Sequence, residues 1–362
     1  MRILHVIPSL SIGGAEKLLV DSLKLYTERN IVVGLLLIKE TDSLLFDMLD
    51  HKDINIHILN RTSFYNPSLI FKIGKILKKY NLVHVHLFPS LYFVPLAKLL
   101  KRLKLPLVYT EHSTNNKRRN KRYLDILETF IYNRYRKIIT ISPEVDEALK
   151  NHVNIPSNRI TLIPNGIDIK RYQDANSYEK KMFFEGVDAK ILIQVSSFRY
   201  PKDQQTIVRA LKLLPDNVKL LLVGEGPLVD QVKLLVSQLE LSNRVLFLGI
   251  RMDVPELLKT SDIIILSSAY EGLSLASLEA LSSGRPFLAS DVRGIRETVL
   301  GFGILFEYQN ENQLADNIKL LLSDKEYYNQ TSLKCMDRAS NYSLEKMVDS
   351  YIKIYKEILN NE

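Results

Sequence analysis

The chain of 362 residues contains a single cysteine, Cys335. One thiol closes no intrachain disulfide and builds no cysteine-based metal site. No apolar run reaches the roughly 18 to 20 residues that a membrane-spanning helix needs. Low-complexity segments and short-period repeats are absent. So are His-x-x-x-His, carboxylate clusters at metal spacing, Asp-x-Asp and the GxGxxG dinucleotide pattern. These absences lead us to expect no obligatory metal and no bound cofactor. The opening stretch MRILHVIPSL has one basic residue and no small-residue cleavage site after its short apolar run. It reads as a first strand rather than a signal peptide. A cytoplasmic location is expected.

What is present is ordinary in amount and uneven in placement. Hydrophobic residues make up 46% and charged residues 25%, which suits a globular protein long enough for two cores. The net charge is +8. Residues 1–165 carry 25 Lys+Arg against 14 Asp+Glu, a balance of +11; residues 166–362 carry 24 against 27, a balance of −3. Different partners for the two halves follow. The densest basic run holds Lys117, Arg118, Arg119, Lys121 and Arg122. No helix-turn-helix, zinc or RNA-binding motif accompanies it, so nucleic acid is not the expected partner. An anionic membrane surface or an anionic lipid-linked acceptor suits it better, with a solvated loop as the alternative.

Short apolar segments alternate with longer amphipathic ones. Strands are predicted over residues 3–7, 32–38, 56–59, 82–86, 107–110 and 137–141. A second series covers 191–196, 218–223, 245–248, 263–266 and 287–289. Helices fit between, at 15–28, 69–79, 123–135, 204–213 and 228–239. Alternation of this kind gives parallel sheets with crossover helices. The turn-rich PNGID and the polar stretch 171–188 separate the two series. The expected class is α/β, with two Rossmann-like doubly wound domains at 1–165 and 166–345. Residues 346–362 form a further helix. Ligands in such folds bind at the carboxyl ends of strands.

One string lies at such an end. YEGLSLASLEALSSGRP follows the strand at 263–266. After the turn at Gly272, Leu275, Leu278 and Leu281 mark one face of a helix over 274–283. A strand, a glycine turn and a helix start present free amides to an anion. Glu271 precedes that helix and Glu279 lies about two turns into it. A carboxylate beside a phosphate-binding helix start suggests a phosphorylated sugar; a surface acid favoured by the helix dipole is the plainer alternative.

The string resembles the acidic signature of retaining glycosyltransferases of glycosyltransferase family 4, the group 1 glycosyltransferases with the GT-B fold. Further resemblances follow in order: GGAE at 13–16, VHVH ending at His86, IPNGID at 163–168, FRYPKD around Lys202, VGEGP at 223–227 and FLG at 247–249. They cover nearly the whole chain. The resemblance implies two domains facing each other across a cleft, the first for the acceptor and the second for the donor. It implies that the final helix packs back on the first domain. It also implies transfer of a hexosyl residue from a nucleotide sugar, UDP-linked or GDP-linked, to a saccharide or lipid-linked acceptor in bacterial surface polysaccharide synthesis. A nucleotide-sugar epimerase and a non-catalytic nucleotide-sugar binder are the alternatives.

By the same resemblance Glu271 and His86 are the catalytic candidates. Donor contacts fall to Gly13, Gly14, Ser197, Arg199, Lys202, Glu225, Gly226, Ile250, Gly272, Leu273, Ser274, Leu275 and Glu279. Lys202 suits a diphosphate leaving group as a point charge with three donors. Ser197 stands where the family usually has an arginine, so Arg199 is the candidate replacement. Glu279 would accept hydrogen bonds from ribose hydroxyls, since a carboxylate takes two at once. Glu111 and His112, after the next strand, are acceptor-side candidates. His84 shares a strand face with His86, and the sequence leaves open which of them serves the site.

Overall fold

The computed structural model describes all residues except 12, 42, 50–52, 61–65, 67, 114–123, 185–187, 361 and 362. The basic residues Lys117, Arg118, Arg119, Lys121 and Arg122 therefore lie outside the described residues. The chain divides into two compact units. One is Met1–Gly166 with Leu344–Glu362; the other is Ile167–Ser343.

The first unit holds seven parallel strands: β1 (Arg2–Ile7), β2 (Val32–Leu37), β3 (Ile54–Ile58), β4 (Leu82–His86), β5 (Leu107–Glu111), β6 (Lys137–Thr140) and β7 (Ile160–Leu162). Their spatial order is β3-β2-β1-β4-β5-β6-β7. The interior strands are buried on both faces, as helices on each side of a parallel sheet require. One apolar layer gathers Leu4, Val83, Val85 and Tyr109 with Ile131 and Tyr132 from the helix Asp125–Tyr132. The helix Leu344–Asn360 belongs to this unit. Its inward stripe of Val348, Tyr351, Tyr355 and Ile358 is buried, the spacing of an amphipathic helix laid on a core.

The second unit holds six parallel strands: β8 (Lys190–Val195), β9 (Val218–Val223), β10 (Val245–Gly249), β11 (Ile263–Leu266), β12 (Phe287–Ser290) and β13 (Ile304–Phe306). The order is β10-β9-β8-β11-β12-β13. Both sheets thus run outward from their first strand, then reverse. The reversal falls between β1 and β4 in one unit and between β8 and β11 in the other. A doubly wound sheet opens a crevice at such a point, at the carboxyl ends of the two strands.

The structure adds elements that the periodicity did not reveal. β7 and β13 have three residues each, too few to alternate visibly. The helix Ser90–Leu100 contains Pro95, a residue that argues against a helix interior. The helix predicted to start at 123 begins at Asp125 among the described residues.

Candidate functional site

In the second unit the loops after β8 and β11 are stitched together at the reversal point. Asp203 N donates to Ser267 O (3.1 Å), and Ala269 N donates to Pro201 O (2.9 Å). Asp203 caps the helix Gln204–Lys212 by accepting from Thr206 N at 3.2 Å, and its other oxygen accepts from Ser267 Oγ at 3.1 Å. This double use fixes the residues on either side. Lys202 Nζ forms an ion pair with the Glu271 carboxylate, and the two side chains are 14% and 13% exposed. The two charged residues singled out in the sequence, 69 positions apart, therefore meet.

Two glycines explain how the neighbouring loop comes so close. Gly226 has φ +154°, and a Cβ there would stand 2.4 Å from Phe198 O. Phe198 N in turn donates to Glu225 O at 2.9 Å. The Glu225 backbone thus holds the loop after β8, and its side chain is exposed. Gly294, which the sequence reading did not single out, has φ +86°. A Cβ there would lie 2.0 Å from Glu271 O. Only glycine tolerates that φ and that approach. Glu271 N also donates to Arg293 O at 3.3 Å, so the loop after β12 carries the Glu271–Gly272 peptide.

Past Gly272, Leu273 is buried and Ser274 precedes the helix Leu275–Ser282. The Ser274 side chain makes no capping bond. Ser277 N and Leu278 N both donate to Ser274 O, at 3.1 and 3.3 Å, which leaves the amides of Leu275 and Ala276 for other acceptors. Glu279 is 6% exposed and accepts a 2.8 Å hydrogen bond from the Tyr172 hydroxyl. The partner, from the helix Ile169–Gln173, escaped the sequence reading because nothing in the linker sequence marks it. Arg199 and Ile250 are exposed; Ser197 is partly so, and its carbonyl accepts from Gln204 Nε2 at 3.1 Å.

The first unit's reversal point is furnished differently. His5 on β1 and His84 on β4 are register partners, and His86 follows on the same face. All three are buried. His84 is held by Tyr355 OH at Nδ1 (2.5 Å) and by Thr110 Oγ1 at Nε2 (2.7 Å). His86 has both nitrogens engaged: Nε2 with His5 Nδ1 at 3.2 Å and Nδ1 with His112 Nε2 at 3.3 Å. His112, partly exposed, is the outer end of this row. Burial lowers the pKa of His5 to about 3 and of His112 to about 4, and holds His84 and His86 well below the usual 6.5. The cause is desolvation of the charged form.

Ligand nitrogens of His5, His84 and His86 lie within 4.8 Å of one another, close enough to consider a metal. Neutral imidazole is the ligating form. Here, however, both nitrogens of His84 and of His86 already serve hydrogen bonds, which describes a polar network rather than three free lone pairs. Glu111 is likewise turned inward: it is 4% exposed and accepts from Tyr132 OH at 2.7 Å. Gly13, with extended φ of −162°, caps the helix Gly14–Glu28 without a side-chain bond, and a Cβ there would meet the Glu16 carboxylate at 2.5 Å. His5, Tyr26, Thr110 and Tyr355 were missed in sequence. A histidine amid the aliphatic β1 segment was the available signal.

The family model "Glycosyl transferases group 1" matches residues 178–334, and "Glycosyltransferase Family 4" matches residues 12–171. The chain is 30% identical over 315 residues to N-acetyl-alpha-D-glucosaminyl L-malate synthase of Bacillus anthracis, spanning 82% of this chain and 81% of that protein. It is 28% identical over 312 residues to the UDP-Gal:alpha-D-GlcNAc-diphosphoundecaprenol alpha-1,3-galactosyltransferase of Escherichia coli, spanning 81% and 80%. In fold it is similar to Anabaena HepE, crystallised with UDP and glucose, with a TM-score of 0.85 and 23% identity over 99% of this chain and 100% of that one.

Proposed function

The chain belongs to the group 1 glycosyltransferases of glycosyltransferase family 4, and from that premise we propose that it is a retaining enzyme moving a hexosyl residue from a UDP-sugar to an anionic acceptor. The observation that carries this reading is the Lys202–Glu271 pair at the carboxyl ends of β8 and β11. The pair is mostly buried, so the attraction between the two charges is largely offset by the cost of desolvating them. A diphosphate therefore competes for Lys202 at little cost and brings more negative charge than Glu271 does. Charge on the departing diphosphate grows in the transition state, where a positioned cation counts most. Glu271 is then free to face the sugar. The uncapped start of the helix Leu275–Ser282 suits the distal phosphate, and Glu279 suits ribose hydroxyls. A GDP-sugar fits the same groups. No step in this scheme needs a metal.

The anionic acceptor is supported by the first half's charge of +11 and by the relatives. The Bacillus anthracis protein is named for a malate product and the Escherichia coli one for a diphosphoundecaprenol-linked acceptor. A lipid-linked acceptor has one further support. The helix Asp125–Tyr132 leaves Ile126 (85%), Leu127 (44%) and Phe130 (41%) exposed just past the basic run. Apolar side chains beside basic ones suit an anionic bilayer surface, each cation adding about 1 kcal/mol. Among the described residues no helix is long and apolar enough to cross a membrane, so contact would be peripheral.

Nucleotide release from a panel of UDP- and GDP-sugars, with and without diphosphoprenyl acceptors or malate, tests the proposal. Release that requires an acceptor supports transfer. Release without one is hydrolysis, whereas conversion of the donor into an isomeric nucleotide sugar, with no net nucleotide release, supports the epimerase reading. No release and no isomerised donor, with donor bound, supports a non-catalytic binder.

A further inference from the structure

His5, His86 and His112 lie in a row. Their ring centres are 5.5 and 5.6 Å apart, and the facing nitrogens are 3.2 and 3.3 Å apart. The separation of the centres nearly reaches the sum of the nitrogen–nitrogen distance and the two ring radii, which is its upper limit. The nitrogens therefore face each other nearly along the line of centres, and the His5 and His86 planes differ by only 17°. Each link is an N–H···N hydrogen bond. His86 must donate from one nitrogen and accept at the other.

A neutral imidazole carries one proton, so the three tautomers are not independent. Either every ring is protonated on Nδ1 or every ring is protonated on Nε2. In the first setting His5 donates to His86 and His86 donates to His112. In the second the donation runs inward, and His5 Nε2–H ends the row. His5 Nε2 is buried and has no hydrogen-bond partner among the described residues. The Tyr26 ring, 5.0 Å away between centres and tilted by 41°, offers at most a weak N–H···π contact. A buried orphan N–H is rarer and costlier than a buried acceptor left unused. The inner end therefore selects the outward setting. His84 stands outside the row, held by Tyr355 and Thr110.

We infer that His5 and His86 are positioning residues that hold His112 in its Nδ1–H tautomer, so that the row presents a hydrogen-bond donor to a saccharide oxygen. The ligand half of this statement rests on the glycosyltransferase reading; the tautomer half does not. It is also the less expected arrangement, since an isolated neutral imidazole prefers its proton on Nε2.

Long-range ¹⁵N–¹H correlation spectra of the full chain, labelled at histidine and recorded without ligand near neutral pH, test the tautomers. The expected result is Nδ1–H for His5, His86 and His112 alike. Nε2–H for all three would overturn the polarity, and a mixture would overturn the row itself. His5→Asp places an acceptor where a donor stood and should switch His86 and His112 to Nε2–H; an unswitched His112 in the folded variant would also refute the coupling. The wild-type spectrum decides the question should that variant fail to fold. For the ligand half, His112→Leu should lower kcat/KM about tenfold, the scale of one lost hydrogen bond. His112→Asn, which keeps a donor, should recover most of that loss. Equal activity of wild type and His112→Leu would remove the saccharide contact while leaving the tautomer result standing.

Discussion

The two sheets share one strand order up to the sixth strand, yet the ends of their reversal-point strands are equipped in opposite ways. In the first unit, β1 and β4 carry imidazoles that are almost wholly buried and bonded to one another. In the second, the loops after β8 and β11 carry full charges that remain 14% and 13% exposed. Burial explains the division. An imidazole can shed its charge and stay hydrogen-bonded, so it survives in the interior as a neutral group. A lysine and a glutamate keep theirs by facing each other and water. One topology thus supports a neutral, directional site and an electrostatic one, and the difference should be visible in how each responds to perturbation.

The largest expected effect is that of acid on the first unit. His5, His84, His86 and His112 are neutral when folded, with pKa values pushed down to about 3 or 4 where a value is given, against 6.5 when exposed. Below pH 6.5 the unfolded chain binds protons that the folded chain refuses. Stability is therefore full above that pH and falls as pH drops toward about 4, by at most about 1.4 kcal/mol per pH unit for a single such imidazole, and neighbouring rings titrate as a coupled set. Denaturant titrations at about pH 7 and pH 5 measure this; equal stability at both would mean the imidazoles are protonated in place, and the contrast between the units would vanish.

Next comes the charged site. Lys202→Ala should lower kcat/KM by about 10²–10³, the range for loss of one positioned charge-stabilising group. Glu271→Gln should reduce turnover more than donor affinity. The variants should remain folded but melt lower, because removing one partner leaves the other charge mostly buried and unpaired. Unfolding of either variant, or unchanged kcat/KM in a folded one, would make the pair a structural element rather than a functional one.

Smaller effects sharpen the assignment of Glu279. Glu279→Ala should weaken UDP binding by about 1.5–3 kcal/mol, as expected for a hydrogen bond to a charged group. Tyr172→Phe removes only the hydroxyl that donates to Glu279 and should cost about 1 kcal/mol of affinity. Calorimetric titration checks both. Unchanged affinity in Glu279→Ala would leave that carboxylate as a partner for Tyr172 and nothing more. The smallest expected effect is that of chelation: activity should survive EDTA. Loss on EDTA treatment with recovery on adding a divalent ion would revive the reading of His5, His84 and His86 as ligands.

Much of this protein was settled by sequence alone. Strand-length apolar runs alternating with amphipathic segments sufficed for two parallel α/β units, because the two periods differ and parallel strands need crossovers. The string around Glu271 and the segment around Lys202 were legible because glycine, carboxylate and lysine stood directly after strands. Pairing of Lys202 with Glu271 was not legible, since it depends on the reversal of strand order that makes β8 and β11 neighbours. The same holds for His5, an isolated histidine 79 positions from its register partner His84. For His86 and Glu111, sequence suggested groups facing a ligand. The tertiary structure adds that both side chains are buried and that His112 lies at the outer end of the row. Local sequence reports which side chains follow a strand. Which of them meet, and which are cut off from water, is decided only when distant strands pair and helices cover them, since burial is a property of the whole packed unit.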